Sequence, residues 1–100
     1  MQKSIKYPLL VNTEWLEKNI AAENLRIFDC TVWLKHQPDR IYKIISGKSD
    51  YRKEHIANSG FLDVLELSDK NSPYDFMMPP YEKIDKIMSF SGIGPDTHVI

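Results

Sequence analysis

The chain has 100 residues, 42% hydrophobic and 27% charged, a balance that suits one small water-soluble domain and argues against a disordered, collagenous or membrane-embedded chain. Thirteen basic side chains against fourteen acidic ones leave a formal net charge of -1. The broad positive field that draws phosphate backbones is missing, so nucleic acid is not an expected partner.

The opening run MQKSIKYPLLV carries Lys3 and Lys6 but too short an apolar stretch for a signal-peptide core or a membrane span. We therefore expect a cytoplasmic protein that begins at its own Met1 and has no membrane partner. Asn12-Thr13-Glu14 followed by Trp15, Leu16 and Ile20 predicts a capped helix over about 12 to 22, with Asn12 accepting from orphan amides and the apolar residues on one face. Leu25 to Cys30, LRIFDC, is short, apolar and free of breakers, which predicts a strand covered on both faces. From Thr31 to Asp50 the pattern weakens, and Pro38-Asp39 and Ser46-Gly47 read as turns in a long surface connection with at most a brief extended piece.

Ser49-Asp50 then reads as the cap of a short helical turn through His55, and Gly60 precedes a second strand, Phe61 to Val64. Ser68 to Pro80, SDKNSPYDFMMPP, reads as a loop. Pro80 suits a first helical turn, and Ile84, Ile87 and Met88 form an apolar stripe that stops near Gly92. Gly94-Pro95-Asp96 makes a turn before Thr97 to Ile100, an extended apolar run. Helices alternating with parallel-type strands predict an α/β domain, a parallel sheet flanked by helices. Because an apolar run ending at Ile100 leaves an unpaired edge, we expect residues 1-100 to be an incomplete domain that continues beyond 100 or self-associates through the exposed sheet edge.

Cys30 follows a strand, where α/β proteins present reactive groups, but the segment CTVWLKH offers neither a glycine loop nor a nearby Arg to stabilise a thiolate. A small, semi-buried packing residue is the plainer reading, and a phosphatase or sulfur carrier built on Cys30 lacks its anion cradle. His36, His55 and His98 with Cys30 contain no short chelating pair, so we expect neither zinc nor any other cofactor. His55 suits a hydrogen bond to loop backbone that fixes the joint between helix and strand. Asp29 and Asp63, near strand ends, suit caps or partners of loop amides better than acid/base work. Phe76, Met77, Met78 and Pro79 read either as an exposed interface or as flexible filling.

Taken in order, PLLVNTEWLEKNI, LRIFDCTVWL, Tyr51 with HIANSGFLDVLELSD, SPYDFMMPP and GIGPDTHVI resemble the N-terminal half of two-domain sulfurtransferases of the rhodanese and 3-mercaptopyruvate sulfurtransferase type. The family's joint reads His-Ile-Pro-Gly-Ala before an aromatic strand and an acidic residue. Here His55-Ile56, Phe61 and Asp63 match, and Ala57-Asn58-Ser59-Gly60 depart from it. The resemblance implies a rhodanese-like fold and a persulfide mechanism in which the catalytic Cys belongs to a second rhodanese domain of the same polypeptide. Sulfur would pass from thiosulfate or 3-mercaptopyruvate to a thiol or cyanide, and no catalytic residue is carried onto this chain. It implies scaffold roles for Asp29, Tyr51, His55, Phe61 and Asp63. The alternative is a catalytically inactive, stand-alone rhodanese-like domain that binds another protein through Phe76 to Pro80.

Overall fold

The computed structural model describes residues 8-100, so the reading of Lys3, Lys6 and the opening run falls largely outside the described residues. In chain order the elements are α1 (Thr13–Asn19), β1 (Leu25–Asp29), β2 (Val32–Gln37), β3 (Arg40–Ser46), α2 (Lys48–Lys53), β4 (Ser59–Phe61), α3 (Val64–Leu67), α4 (Tyr81–Phe90) and β5 (His98–Val99). Among the described residues no helix is long and apolar enough to cross a membrane.

β1 is the middle strand of a parallel sheet ordered β4-β1-β5. Ile27, Phe28 and Asp29 pair with Ser59, Gly60 and Phe61 on one side, and Leu25 and Arg26 pair with His98 and Val99 on the other. Ile27 sits at the centre and is 5% exposed. Burying one such side chain contributes about 2 kcal/mol. On α1 the Asn12 side chain accepts from Trp15 N at 2.8 Å, the capping bond its sequence predicts. Trp15 meets the buried His98 ring edge-on at 5.9 Å, which ties α1 to β5.

Four expectations need correction. The stretch read as a long connection is an antiparallel hairpin, β2 against β3, with Pro38-Asp39 as its turn and a bulge at His36/Gln37. Ile41, Tyr42, Ile44 and Ile45 supply the β-branched and aromatic content that favours a strand, and the two-residue turn closes it. The second parallel strand is Ser59–Phe61, two residues earlier than expected, because the Asp63 carboxylate accepts from Leu65 N at 3.0 Å and starts α3. α2 begins directly after β3 with Gly47 at its cap position, so Ser49 and Asp50 lie inside the helix. Pro80 stands one residue before the helix it was expected to open. α4 ends as its composition predicts, with Gly92 at φ 81 and Ile93 N bonding back to Met88 O at 2.9 Å.

Candidate functional site

The C-terminal end of β1 meets the joint between α2 and β4, and most of the polar residues singled out from the sequence converge there. Asp29 closes β1 with its carbonyl accepting from Leu62 N at 3.0 Å, which extends the β1–β4 ladder by one bond. Its carboxylate accepts from Thr31 Oγ1 at 2.7 Å and Thr31 N at 2.9 Å. Those two bonds, the hydroxyl first, hold the Asp29 carboxyl below the usual carboxylate range against a smaller desolvation effect, with a weaker charge contribution from His55.

Tyr51 on α2 is the hub of the joint. Its hydroxyl donates to Ser59 O, the first residue of β4, at 2.6 Å. Its ring stacks on His55 at 4.1 Å between centroids and leans on Phe61 at 5.6 Å. His55 Nδ1 lies 2.8 Å from Tyr51 O. A carbonyl can only accept, so this contact places the proton on Nδ1. The helix end, the turn and the entering strand are thereby clamped by one side chain.

Asn58 adopts φ 64 between them, the left-handed conformation that glycine takes most easily and asparagine tolerates. It stands fourth in the joint that begins at His55, where the His-Ile-Pro-Gly-Ala motif has its glycine. Its side-chain amide donates to Ile20 O at 3.2 Å, fastening the joint to the end of α1. Ser59 Oγ donates to Ile56 O and tightens the same turn. Asp63 caps α3 with one oxygen and with the other accepts from Ser46 Oγ at 3.2 Å, linking the end of β3 to the start of α3.

Cys30 stands immediately beyond Asp29 and is exposed, where the sequence reading had it semi-buried. Its thiol is nevertheless pushed up from its ordinary value, first by desolvation at the strand end and then by the Asp29 carboxylate. An anion at this sulfur therefore meets a like charge. The three histidines do not converge: His36 is on β2, His55 at the joint and His98 in β5. Among the described residues no three His, Cys, Asp or Glu side chains are placed to hold a metal ion.

The Phe76 to Pro79 segment lies apart from the joint. Phe76 takes φ 59, and it lines a cavity of about 280 Å³ with Ile44, Leu65 and Tyr74. Met77 O accepts from Asp69 N at 2.8 Å, Met78 is 74% exposed and Pro79 is buried. Sequence reasoning missed Thr31, Ser46 and Asn58. Asp-x-Thr after a strand signals the first of these, because a short carboxylate there can bond the amide and hydroxyl two residues on.

No protein-family profile matches the chain. It is similar to thiosulfate sulfurtransferase of Gallus gallus, 28% identical over 95 residues that make up 91% of this chain and 30% of the relative. It is similar to 3-mercaptopyruvate sulfurtransferase of Escherichia coli strain K12, 30% identical over 90 residues, 90% of this chain and 30% of the relative. Among solved structures, SseA of Escherichia coli, described as showing the rhodanese fold of 3-mercaptopyruvate sulfotransferases, matches with a TM-score of 0.70 at 29% identity, covering 86% of this chain and 31% of that one. The chain thus has part of that fold and spans about a third of the length of the curated relatives it matches.

Proposed function

We infer that this chain, which belongs to the rhodanese / 3-mercaptopyruvate sulfurtransferase family, is the N-terminal structural module of a sulfurtransferase whose reactive cysteine lies outside these residues. In the whole enzyme a Cys thiolate attacks the sulfane sulfur of thiosulfate and releases sulfite, or takes sulfur from 3-mercaptopyruvate and releases pyruvate. The resulting persulfide gives up its outer sulfur to cyanide or to an acceptor thiolate, which regenerates the cysteine. A persulfide site needs donors or cations aimed at sulfur to stabilise the anion it forms.

The observation that carries the reading is the state of Cys30, an exposed thiol pushed up by desolvation and by Asp29. Beside it the Asp29 carboxylate is taken up by Thr31, and at the joint Tyr51 and His55 are engaged with the backbone at Ser59 O and Tyr51 O. On this reading Asp29, Tyr51, His55, Phe61 and Asp63 shape the module, and a C-terminal rhodanese domain of the same polypeptide completes the substrate cleft. A single cysteine and a near-neutral charge are in keeping with work in the reducing cytoplasm.

The rival reading, an inactive interaction domain that docks through Phe76 to Pro80, has Met78 as its best anchor. The buried Pro79 and the bond from Asp69 N to Met77 O favour a segment packed on its own chain. Sulfur transfer from thiosulfate to cyanide is the deciding measurement, made on residues 1-100 and on the full-length protein. We expect no turnover from the shorter chain, and full-length turnover that survives Cys30→Ala. Loss of full-length turnover in that variant would place the chemistry on Cys30 and overturn the reading.

A further inference from the structure

The β2–β3 hairpin pairs with neither edge of the three-stranded sheet, so its position depends on what its side chains reach. Its base is fixed three times. Gly47 N donates to Thr31 O at 2.8 Å, the Trp33 indole donates to the Asp50 carboxylate of α2 at 2.8 Å, and Ser46 Oγ donates to Asp63, the cap of α3, at 3.2 Å. Above these anchors the attachment thins. Among the described side chains of residues 34–44, Tyr42 alone makes a hydrogen bond or ion pair outside the hairpin, its hydroxyl donating to Asp75 Oδ2 at 3.1 Å in a solvent-exposed contact.

Tyr42, Ile44 and Ser46 alternate along β3 and share one face. Tyr42 and Ser46 are tied to the rest of the chain, and between them Ile44 meets open space in place of close packing. It lines the cavity of about 280 Å³ whose other walls include Leu65 of α3 and Tyr74 and Phe76 of the following loop. Atoms that border a void lose the dispersion contacts of a packed interior, so little holds Ile44 down.

A two-stranded ribbon is at best marginally stable by itself, and this one carries a bulge at His36/Gln37 and an Ile41 that is 82% exposed. We propose that the outer half of the hairpin is a flap over the cavity, bending above its anchored base and latched shut by the Tyr42–Asp75 bond. Opening breaks one exposed hydrogen bond and the few contacts of Ile44, and it uncovers Leu65 and Phe76. No ladder bond joins the flap to β4-β1-β5, so the sheet stays in place when the flap moves.

The test follows isotope-labelled isoleucine methyl groups in the full-length protein by relaxation dispersion, which reads motion on the microsecond-to-millisecond scale. Ile44 is expected to exchange with an open state whose population rises about fivefold in Tyr42→Phe and in Asp75→Ala, as the loss of one exposed hydrogen bond implies. The double variant should go no further, because both changes remove the same bond. Ile27 should show no exchange in any of these proteins, and the Asp69 amide, bonded to Met77 O, should keep its protection from hydrogen exchange. Exchange at Ile44 that is absent throughout, or unchanged by the variants, overturns the proposal. So does a double variant in which the two single effects multiply, since Tyr42 and Asp75 would then act separately. Equal exchange at Ile27 would make the motion one of the whole domain, and loss of Asp69 protection would place it in the loop; either result also overturns the flap. All of these readouts are taken without turnover, so they stand apart from the reading of Cys30.

Discussion

β1 and β3 are both rich in branched apolar residues, yet Ile27 on β1 is 5% exposed and Ile41 on β3 is 82% exposed. Their neighbours differ. β1 is hydrogen-bonded on both edges, by β4 and β5, whereas β3 has β2 alone. A central strand has both edges satisfied and its faces covered, while a two-stranded ribbon leaves one edge of each strand open and covers at most one face. Apolar content therefore made both segments strands, and the number of pairing partners decided which became core.

The largest expected effect sits at the centre of that contrast. Ile27→Ala should lower the stability of the full-length protein by about 3 kcal/mol in urea unfolding, while Ile41→Ala should change it by about 0.5 kcal/mol or less. Equal losses at the two sites would erase the distinction between the strands. Next comes Gly47, where the hairpin meets α2: an added Cβ would lie 2.7 Å from Thr31 O, a backbone atom that cannot swing aside. Gly47→Ala should cost about 2 kcal/mol, and a neutral result would mean that the mouth of the hairpin is looser than the bond from Gly47 N to Thr31 O implies.

Tyr51→Phe keeps the stacking on His55 and removes the donor to Ser59 O, so a loss of about 1 kcal/mol is expected. A full-sized loss only on Tyr51→Ala would assign the clamp to the ring and not to the hydroxyl. The smallest effect should appear at Asp29. Its carboxyl is held below the ordinary value in the folded chain, so its contribution is fully present above the unfolded carboxylate range and is lost as pH falls through the lowered folded value. Asp29→Asn should flatten that acid limb of the stability-pH curve by slightly lowering the neutral region, and leave the stability below the lowered folded value nearly unchanged. An unaltered acid limb would show that the Thr31 bonds favour the neutral and charged forms alike.

The same contrast separates what could be read early from what could not. The α1 cap, the β1 run, the end of α4 and the family's ordered motifs were legible because each depends on neighbours in sequence: Asn12 reaches Trp15 N, and Gly92 supplies the positive φ at the stop. The hairpin was missed because Trp33-Leu34 and Ile44-Ile45 place apolar residues on both faces, which blurs the alternation that marks a half-buried strand. The scaffold residues were named individually, but their grouping was not visible. Asn58 bonding to Ile20 and Ser46 bonding to Asp63 join positions far apart in the chain.

By itself the order of residues determined an α/β chain of the rhodanese type, the local caps and stops of its helices, and a lone cysteine with no cradle written around it. Tertiary structure decided that Tyr51 clamps the joint, that Cys30 stands exposed beside a like charge, and that one apolar strand is buried while another faces outward. The reason is physical. Capping and turn preferences act over three or four residues and leave their mark in local sequence, whereas burial and charge environment depend on which distant strands come to lie alongside.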